Sequence, residues 1–232
     1  MSRTIAIGDT HGCSVALGRL IDAISPEPED VIVALGDYVD RGPDSRGVLD
    51  RFIELADRCR LTPLMGNHEE MLLASMRGQA SVRLWLACGG LATMKSYGAA
   101  ATFDDIPAEH IAFIDSCKLY HEAGDFFFVH ANYAPLKPLD EQDVEMLLWR
   151  SLRETMPGPH CSGKTAIVGH TLQADGKIRD LGYLKCIDTG CYNNGWLTAL
   201  DVDSGRVWQA NERGELRESA IETPLPQPTP QR

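Results

Sequence analysis

Three short segments end apolar runs with glycine followed by a residue able to bind a metal. They are Gly8-Asp9-Thr10-His11-Gly12, Gly36-Asp37-Tyr38-Val39-Asp40-Arg41-Gly42 and Gly66-Asn67-His68-Glu69. Two further histidines, His130 and His170, each follow a later apolar run. Asp9, His11, Asp37, Asn67, His130 and His170 thus offer six oxygen and nitrogen donors and no sulfur. That donor set suits divalent transition metals, manganese foremost.

Taken singly, an aspartate at a strand end is usually a cap or turn residue. A lone histidine after an apolar run is usually a satisfied core residue. The joint pattern favours the ligand reading, because the two histidines complete a set otherwise poor in nitrogen. One ion rarely uses six protein ligands and keeps a water. Two ions sharing a carboxylate can, and Asp37 is the natural bridge. Paired metals about 3.5–4 Å apart clamp the attacking and leaving oxygens of an in-line displacement. They also ionise a shared water at neutral pH. His68 adjoins a ligand and so points elsewhere; with Asp40 beside it, it makes a general acid. Arg41 supplies a guanidinium fork that matches phosphate oxygens.

The elements that position these residues follow from periodicity. Thr4–Ile7, Val31–Leu35 and Leu61–Met65 read as buried strands. Val15–Ile24, Asp44–Cys59 and Glu69–Met76 read as helices between and after them. Alternating strands and helices imply parallel strands, whose carboxyl ends form one rim for ligands. Asp9, Asp37 and Asn67 fall on that rim. Residues 80–120 read as mostly helical, with Ser81–Cys88 ending at Gly89-Gly90 and a helix over Pro107–Cys117. Leu119–His121 and Phe126–Val129 read as a hairpin delivering His130, and Thr165–Val168 delivers His170. Tyr183–Asp188, Trp196–Val202 and Val207–Asn211 read as a meander. One domain over 1–220 and a proline-rich, disordered tail over 221–232 result.

Composition sets the bounds. The 232 residues are 44% hydrophobic and 24% charged, ordinary globular values that allow a full core. With 33 acidic and 22 basic residues the net charge is −11, which argues against a nucleic-acid binder. No apolar window is long enough for a membrane span, and Met1–Gly12 carries no signal-peptide pattern. Seven cysteines without a CxxC pair fit a reducing cytoplasm. Each reads as a small buried hydrophobe. Histidines 110, 121 and 160 read as surface or structural, and the tryptophans as packing. Glu69 and Glu70 read as first-turn helix residues held by the dipole. Tyr38 is open between touching substrate and filling the loop, and Pro138–Glu145 reads as a solvated helix start.

Gly-Asp-x-His-Gly, Gly-Asp-x-Val-Asp-Arg-Gly and Gly-Asn-His-Glu, in this order and spacing, resemble the three signatures of the phosphoprotein phosphatases of serine/threonine type. Val129-His130-Ala131 and Gly169-His170-Thr171 resemble the two later histidine segments. Trp85 with Gly89-Gly90, Leu148-Trp149-Arg150 and Ile187-Asp188-Thr189-Gly190 are further echoes of the bacterial and phage branch. The resemblance spans about residues 3–210 and implies an α/β fold with mixed sheets, the calcineurin-like sandwich of two β-sheets flanked by helices.

It further implies two metals on the six ligands above, His68 as general acid supported by Asp40, and Arg41 on the phosphate. It implies a second phosphate-binding arginine, read as Arg150 with Arg153 as the alternative, since Ser151 stands where phage relatives carry it. Asn132 stands where relatives often have aspartate. The implied activity is hydrolysis of phosphoserine and phosphothreonine in proteins by direct attack of a dimetal-bound hydroxide; a shallow site would also admit phosphotyrosine. The rival is a diadenosine tetraphosphate hydrolase, whose second signature typically lacks the Asp40 equivalent. A non-catalytic phosphoprotein-binding scaffold is the third reading, opposed by the intact ligands.

Overall fold

The computed structural model describes residues 2–221. Its first half alternates as the sequence implies: β1 (Thr4–Ile7), α1 (Ser14–Ile24), β2 (Val31–Ala34), α2 (Ser45–Ala56), β3 (Arg60–Pro63) and α3 (Asn67–Met76). Strands β1, β2 and β3 pair in parallel. Asp44 caps α2, its side chain accepting from Gly47 N at 2.9 Å.

Three helical pieces follow: α4 (Val82–Trp85), a π-turn over Leu86–Gly90, and α5 (Leu91–Tyr97). Then come α6 (Ala108–Asp115), the hairpin β4 (Tyr120–Ala123) and β5 (Phe126–Val129), and α7 (Val144–Trp149). The last strands are β6 (Thr165–Val168), β7 (Arg179–Asp180), β8 (Leu184–Cys186), β9 (Leu197–Asp201), β10 (Arg206–Ala210) and β11 (Leu216–Ala220).

These strands make two mixed sheets. One has the order β11-β10-β9-β1-β2-β3 and the other β4-β5-β6-β8-β7. Alternation along each strand explains the stacking. Ala6, Val33 and Leu200 of the first sheet meet Phe128, Ile167 and Ile187 of the second-sheet side in one buried cluster. Ile5, Ile7 and Ile32 point the other way, into α1 and α2. Phe127, Val129 and Val168 point outward beneath Leu147 and Leu148 of α7. Both faces of the inner strands are therefore covered, which is why their sequences are continuous apolar runs.

The single meander expected over 183–211 is not what forms. β8 joins β6 in the second sheet, whereas β9 crosses to the first and lies antiparallel to β1. The loop between them, 187–196, must pass from sheet to sheet across the end of β1 that carries Asp9. β9, β10 and β11 then form the meander. The reading of every cysteine as buried also fails, since Cys88 and Cys161 are exposed. Among the described residues no helix is long and apolar enough to cross a membrane. The disorder expected of the tail falls on residues outside those described, Ile221 excepted.

Candidate metal centre

Asp9, Asp37 and Asn67 leave the carboxyl ends of β1, β2 and β3 side by side, and His130 and His170 leave β5 and β6 of the facing sheet. The rim predicted from parallel strands is thus closed from the other layer. Holding the turns open costs backbone strain. His11, Asp37, Asp40, Arg41 and His170 all adopt positive φ, between 42° and 72°. Of the described residues only Ser25 and Asn194 are other non-glycines that do so. Such conformations cost of order 1–3 kcal/mol each and persist only where surroundings enforce them.

Asp37 lies at the middle. Its Oδ2 is 3.2 Å from His11 Nε2, and its Oδ1 is 3.4 Å from His130 Nε2. Two donor clusters share it: His11, Asp37 and His68, and Asp37, His130 and His170, each with ligand atoms within 4.8 Å of one another. The outer ring nitrogens are spoken for. His11 Nδ1 donates to Val39 O at 2.9 Å and His130 Nδ1 to Leu35 O at 2.8 Å. In the neutral imidazoles each Nε2 lone pair therefore faces inward. Asn67 Oδ1 lies 3.1 Å from both His130 Nε2 and His170 Nδ1.

Electrostatics agree. Burial, then the charges of Asp188 and Asp37, push the Asp9 carboxyl well above its usual range. Burial opposes ionisation of Asp37 too, but His130, His68 and His11 outweigh it and hold that carboxyl well below its usual range. Burial lowers His130, and lowers His170 to about 4. It also pulls on His11, where the Asp37 carboxylate prevails and raises the imidazole. Asp188, missed as a site residue, is raised by burial to about 6.

The residues fit divalent cations on a direct observation. Asp9 Oδ1 is buried and has no hydrogen-bond partner among the described residues, while Oδ2 accepts from His170 N at 2.9 Å. A buried carboxylate oxygen without a donor is costly, and a cation removes the cost. Gly169 keeps the space free: a Cβ there would sit 2.1 Å from that oxygen.

Beside the ring stands the second constellation. His68 Nδ1 is 2.7 Å from Asp40 Oδ2, and both side chains are fully buried. Asp40 Oδ1 accepts from Thr93 Oγ1 at 2.7 Å, and Trp85 Nε1 reaches Asp40 Oδ2 at 3.0 Å. The Asp40 amide in turn donates to Thr93 Oγ1 at 2.8 Å. Thr93 and Trp85 thus fix the pair from the helical segment after α3. The glycines there allow it, since a Cβ on Gly90 would lie 2.3 Å from the Trp85 ring. Thr93 carried no sequence signal at all.

Glu69 is neither a ligand nor only a dipole partner. Its Oε1 accepts from Tyr38 N and Val39 N, and its Oε2 from Asp37 N and Gly66 N. It therefore shapes the loop that carries Asp37, although burial raises its own carboxyl to about 8. Tyr38 is core, its hydroxyl donating to Leu64 O at 2.7 Å.

Arg41 Nη1 lies 3.2 Å from His11 Nε2, and its guanidinium stacks over Tyr192 at 4.8 Å. Tyr192, also unforeseen, meets the His11 ring edge-on. Arg150 does not join this group: its guanidinium pairs with Glu145 at 3.0 Å and Glu154 at 3.7 Å on an exposed face. Arg150 ends α7, and these two neighbours on its own segment are closer partners for it. Arg153 instead donates to Leu172 O, two residues beyond His170. His110 and His160 are buried and structural, with His110 between Asp50 and Tyr97.

Comparison with known proteins bears on the same residues. The Metallophos family, described as calcineurin-like phosphoesterase, matches residues 2–176. The chain is 31% identical over 206 residues to serine/threonine-protein phosphatase 1 of Salmonella typhimurium, covering 84% of this chain and 90% of that protein. It is 30% identical over 193 residues to the symmetrical bis(5'-nucleosyl)-tetraphosphatase of Janthinobacterium sp., covering 76% of this chain and 62% of the relative. A crystal structure titled a putative diadenosine tetraphosphatase superposes with a TM-score of 0.66 at 23% identity, covering 94% of this chain and 93% of that one. The family match spans all three glycine-flanked signatures, and the superposition extends over the two-sheet fold. With its carboxylate–imidazole ring built on those signatures, the chain belongs to the calcineurin-like phosphoesterases.

Proposed function

We propose that this chain is a metal-dependent serine/threonine protein phosphatase. The observation that carries the reading is the buried His68–Asp40 pair, 2.7 Å apart and braced by Thr93 and Trp85. A serine or threonine alkoxide is a poor leaving group and needs a proton as the P–O bond breaks. The phosphate of a nucleotide leaves readily and needs it far less. A rigid imidazole whose Nδ1 is committed to a carboxylate presents its other nitrogen as that donor. The likeness to the Salmonella phosphatase over nearly its whole length supports the same substrate class.

Asp9, His11, Asp37, Asn67, His130 and His170 would hold two divalent cations, which we take to be manganese from the oxygen and imidazole donors. Bound there, they supply Lewis acidity toward phosphoryl oxygens and an ionised water. Asp37 holds both halves of the ring in register, and Glu69 holds Asp37. Arg41, released from His11 once that nitrogen is engaged, offers its fork to the phosphoryl oxygens. On this reading all six ring residues are engaged as cation ligands, so water is the nucleophile and no phosphoenzyme forms. Phosphorylated proteins are the partners on this reading.

The second reading, a symmetrical dinucleoside tetraphosphatase, is favoured by the Janthinobacterium relative and the 0.66 superposition. The two separate on kcat/KM with manganese. A phosphoserine or phosphothreonine peptide preferred at least tenfold over diadenosine tetraphosphate supports the first; the reverse preference supports the second.

A further inference from the structure

A second group of metal-binding side chains lies behind the first. Cys13, Cys191 and Glu212 offer two sulfurs and a carboxylate oxygen that all lie within 4.8 Å of one another. They come from three segments: the residue after Gly12, the inter-sheet loop just before Tyr192, and the turn after β10. Cys13 and Cys191 are buried, and their sulfurs lie within 4.8 Å of each other. Glu212 Oε2 accepts from Ala16 N at 3.2 Å, which aims the carboxylate at the start of α1, where Cys13 sits. A cavity of about 150 Å³ opens on all three, with Asn211 and Arg213 in its wall.

We propose that Cys13, Cys191 and Glu212 form a separate site for a thiophilic divalent cation such as zinc. The donor chemistry distinguishes it from the catalytic ring. Soft sulfur ligands select zinc, whereas the oxygen and imidazole ring suits harder ions. Sulfur–zinc bonds of about 2.3 Å in a tetrahedron place sulfurs about 3.8 Å apart, so side-chain rotation of about 1 Å closes the site. The cavity has room for a water as fourth ligand. Both thiols lose their protons on binding. Two thiolates and a carboxylate around a dication leave one negative charge. Occupancy ties the segment after His11 to the one before Tyr192, so it holds the ring against which Arg41 stacks.

Cobalt(II) substitution of the full chain tests this. Thiolate ligation gives a near-ultraviolet charge-transfer band that an oxygen and imidazole centre lacks. The site predicts the band in the wild type, in Asp9→Asn, and in a Cys88→Ser/Cys161→Ser variant that removes the exposed thiols. It predicts loss of the band in Cys13→Ser and Cys191→Ser, and at least tenfold weaker cobalt binding in Glu212→Gln. No band in the wild type overturns the proposal, as does a band unchanged in Cys191→Ser or two thiols consumed as a disulfide. If the cysteine variants fail to fold by circular dichroism, Glu212→Gln decides: unchanged affinity overturns it.

Discussion

His68 donates from Nδ1 to Asp40 Oδ2 at 2.7 Å, in a place where neither side chain touches solvent. Asp40 cannot turn away. Thr93 and Trp85 donate to its oxygens, and its own amide is tied to Thr93 and to Ser45. The pair is thus set by helices outside the strand rim that sets the ligands. Chemistry and support come from different parts of the chain and can be tested separately.

Support is tested by Thr93→Val, which keeps the shape and removes one donor to Asp40. Leaving a buried carboxylate short of a donor costs about 1–3 kcal/mol. We expect a lower melting temperature and a reduced kcat with metal stoichiometry unchanged. Metal lost together with kcat would contradict the separation.

Glu69 is the opposite case. Glu69→Gln turns an amide toward four backbone N–H groups that now find carboxylate oxygens. A buried donor left without its acceptor costs about 1–3 kcal/mol. Calorimetry should show destabilisation of at least that order, and manganese should bind more weakly because the Asp37 loop loosens. A variant of wild-type stability would contradict this.

The metal-free protein should grow less stable as pH rises above about 4, the ordinary carboxyl value. Asp9, Asp188 and Glu69 are raised in the fold, Asp188 to about 6 and Glu69 to about 8. These three carboxyls hold protons the unfolded state has lost, and they outweigh His130 and His170, which are lowered and oppose them below about 6.5. Stability then falls with pH. Asp9→Asn should flatten this limb and stabilise the metal-free protein while weakening manganese binding. Chemical denaturation in chelator at pH 5 and pH 8 gives the sign; greater stability at pH 8 would contradict it.

At lower pH the slope reverses through Asp30. Burial pushes this carboxyl up, but Arg3 and the backbone amides of Glu27 and Arg3 win and hold it at about 2. A depressed carboxyl contributes stability above its unfolded pKa, which is lost as pH falls from about 4 toward 2. Asp30→Asn should destabilise at neutral pH and remove much of this acid limb. An acid-unfolding midpoint and slope unchanged from wild type would contradict it.

The ring residues were legible because each needs a particular element at a strand end and a glycine to turn, and both leave local marks. Asp9, Asp37 and Asn67 follow apolar runs, so parallel strands bring them together before any contact is known. Thr93, Trp85 and Tyr192 act through tertiary approach, which local pattern does not encode. β11 has five exposed residues and no alternation to read. β8 and β9 look alike as apolar runs, and only packing between sheets decides that they separate. Arg150 is read from a resemblance around Trp149, with Arg153 as its alternative, and local pattern does not show that Glu145 and Glu154 lie beside its guanidinium.

The most direct test of the account is the leaving-group dependence of His68→Asn, loaded with manganese. General acids contribute typically 10²–10⁴ in rate, and only where the leaving oxygen needs a proton. The account predicts a kcat loss in that range on a phosphoserine peptide, a much smaller loss on an aryl phosphate such as p-nitrophenyl phosphate, and unchanged metal content. Equal losses on both substrates, or wild-type turnover of the peptide, would contradict it.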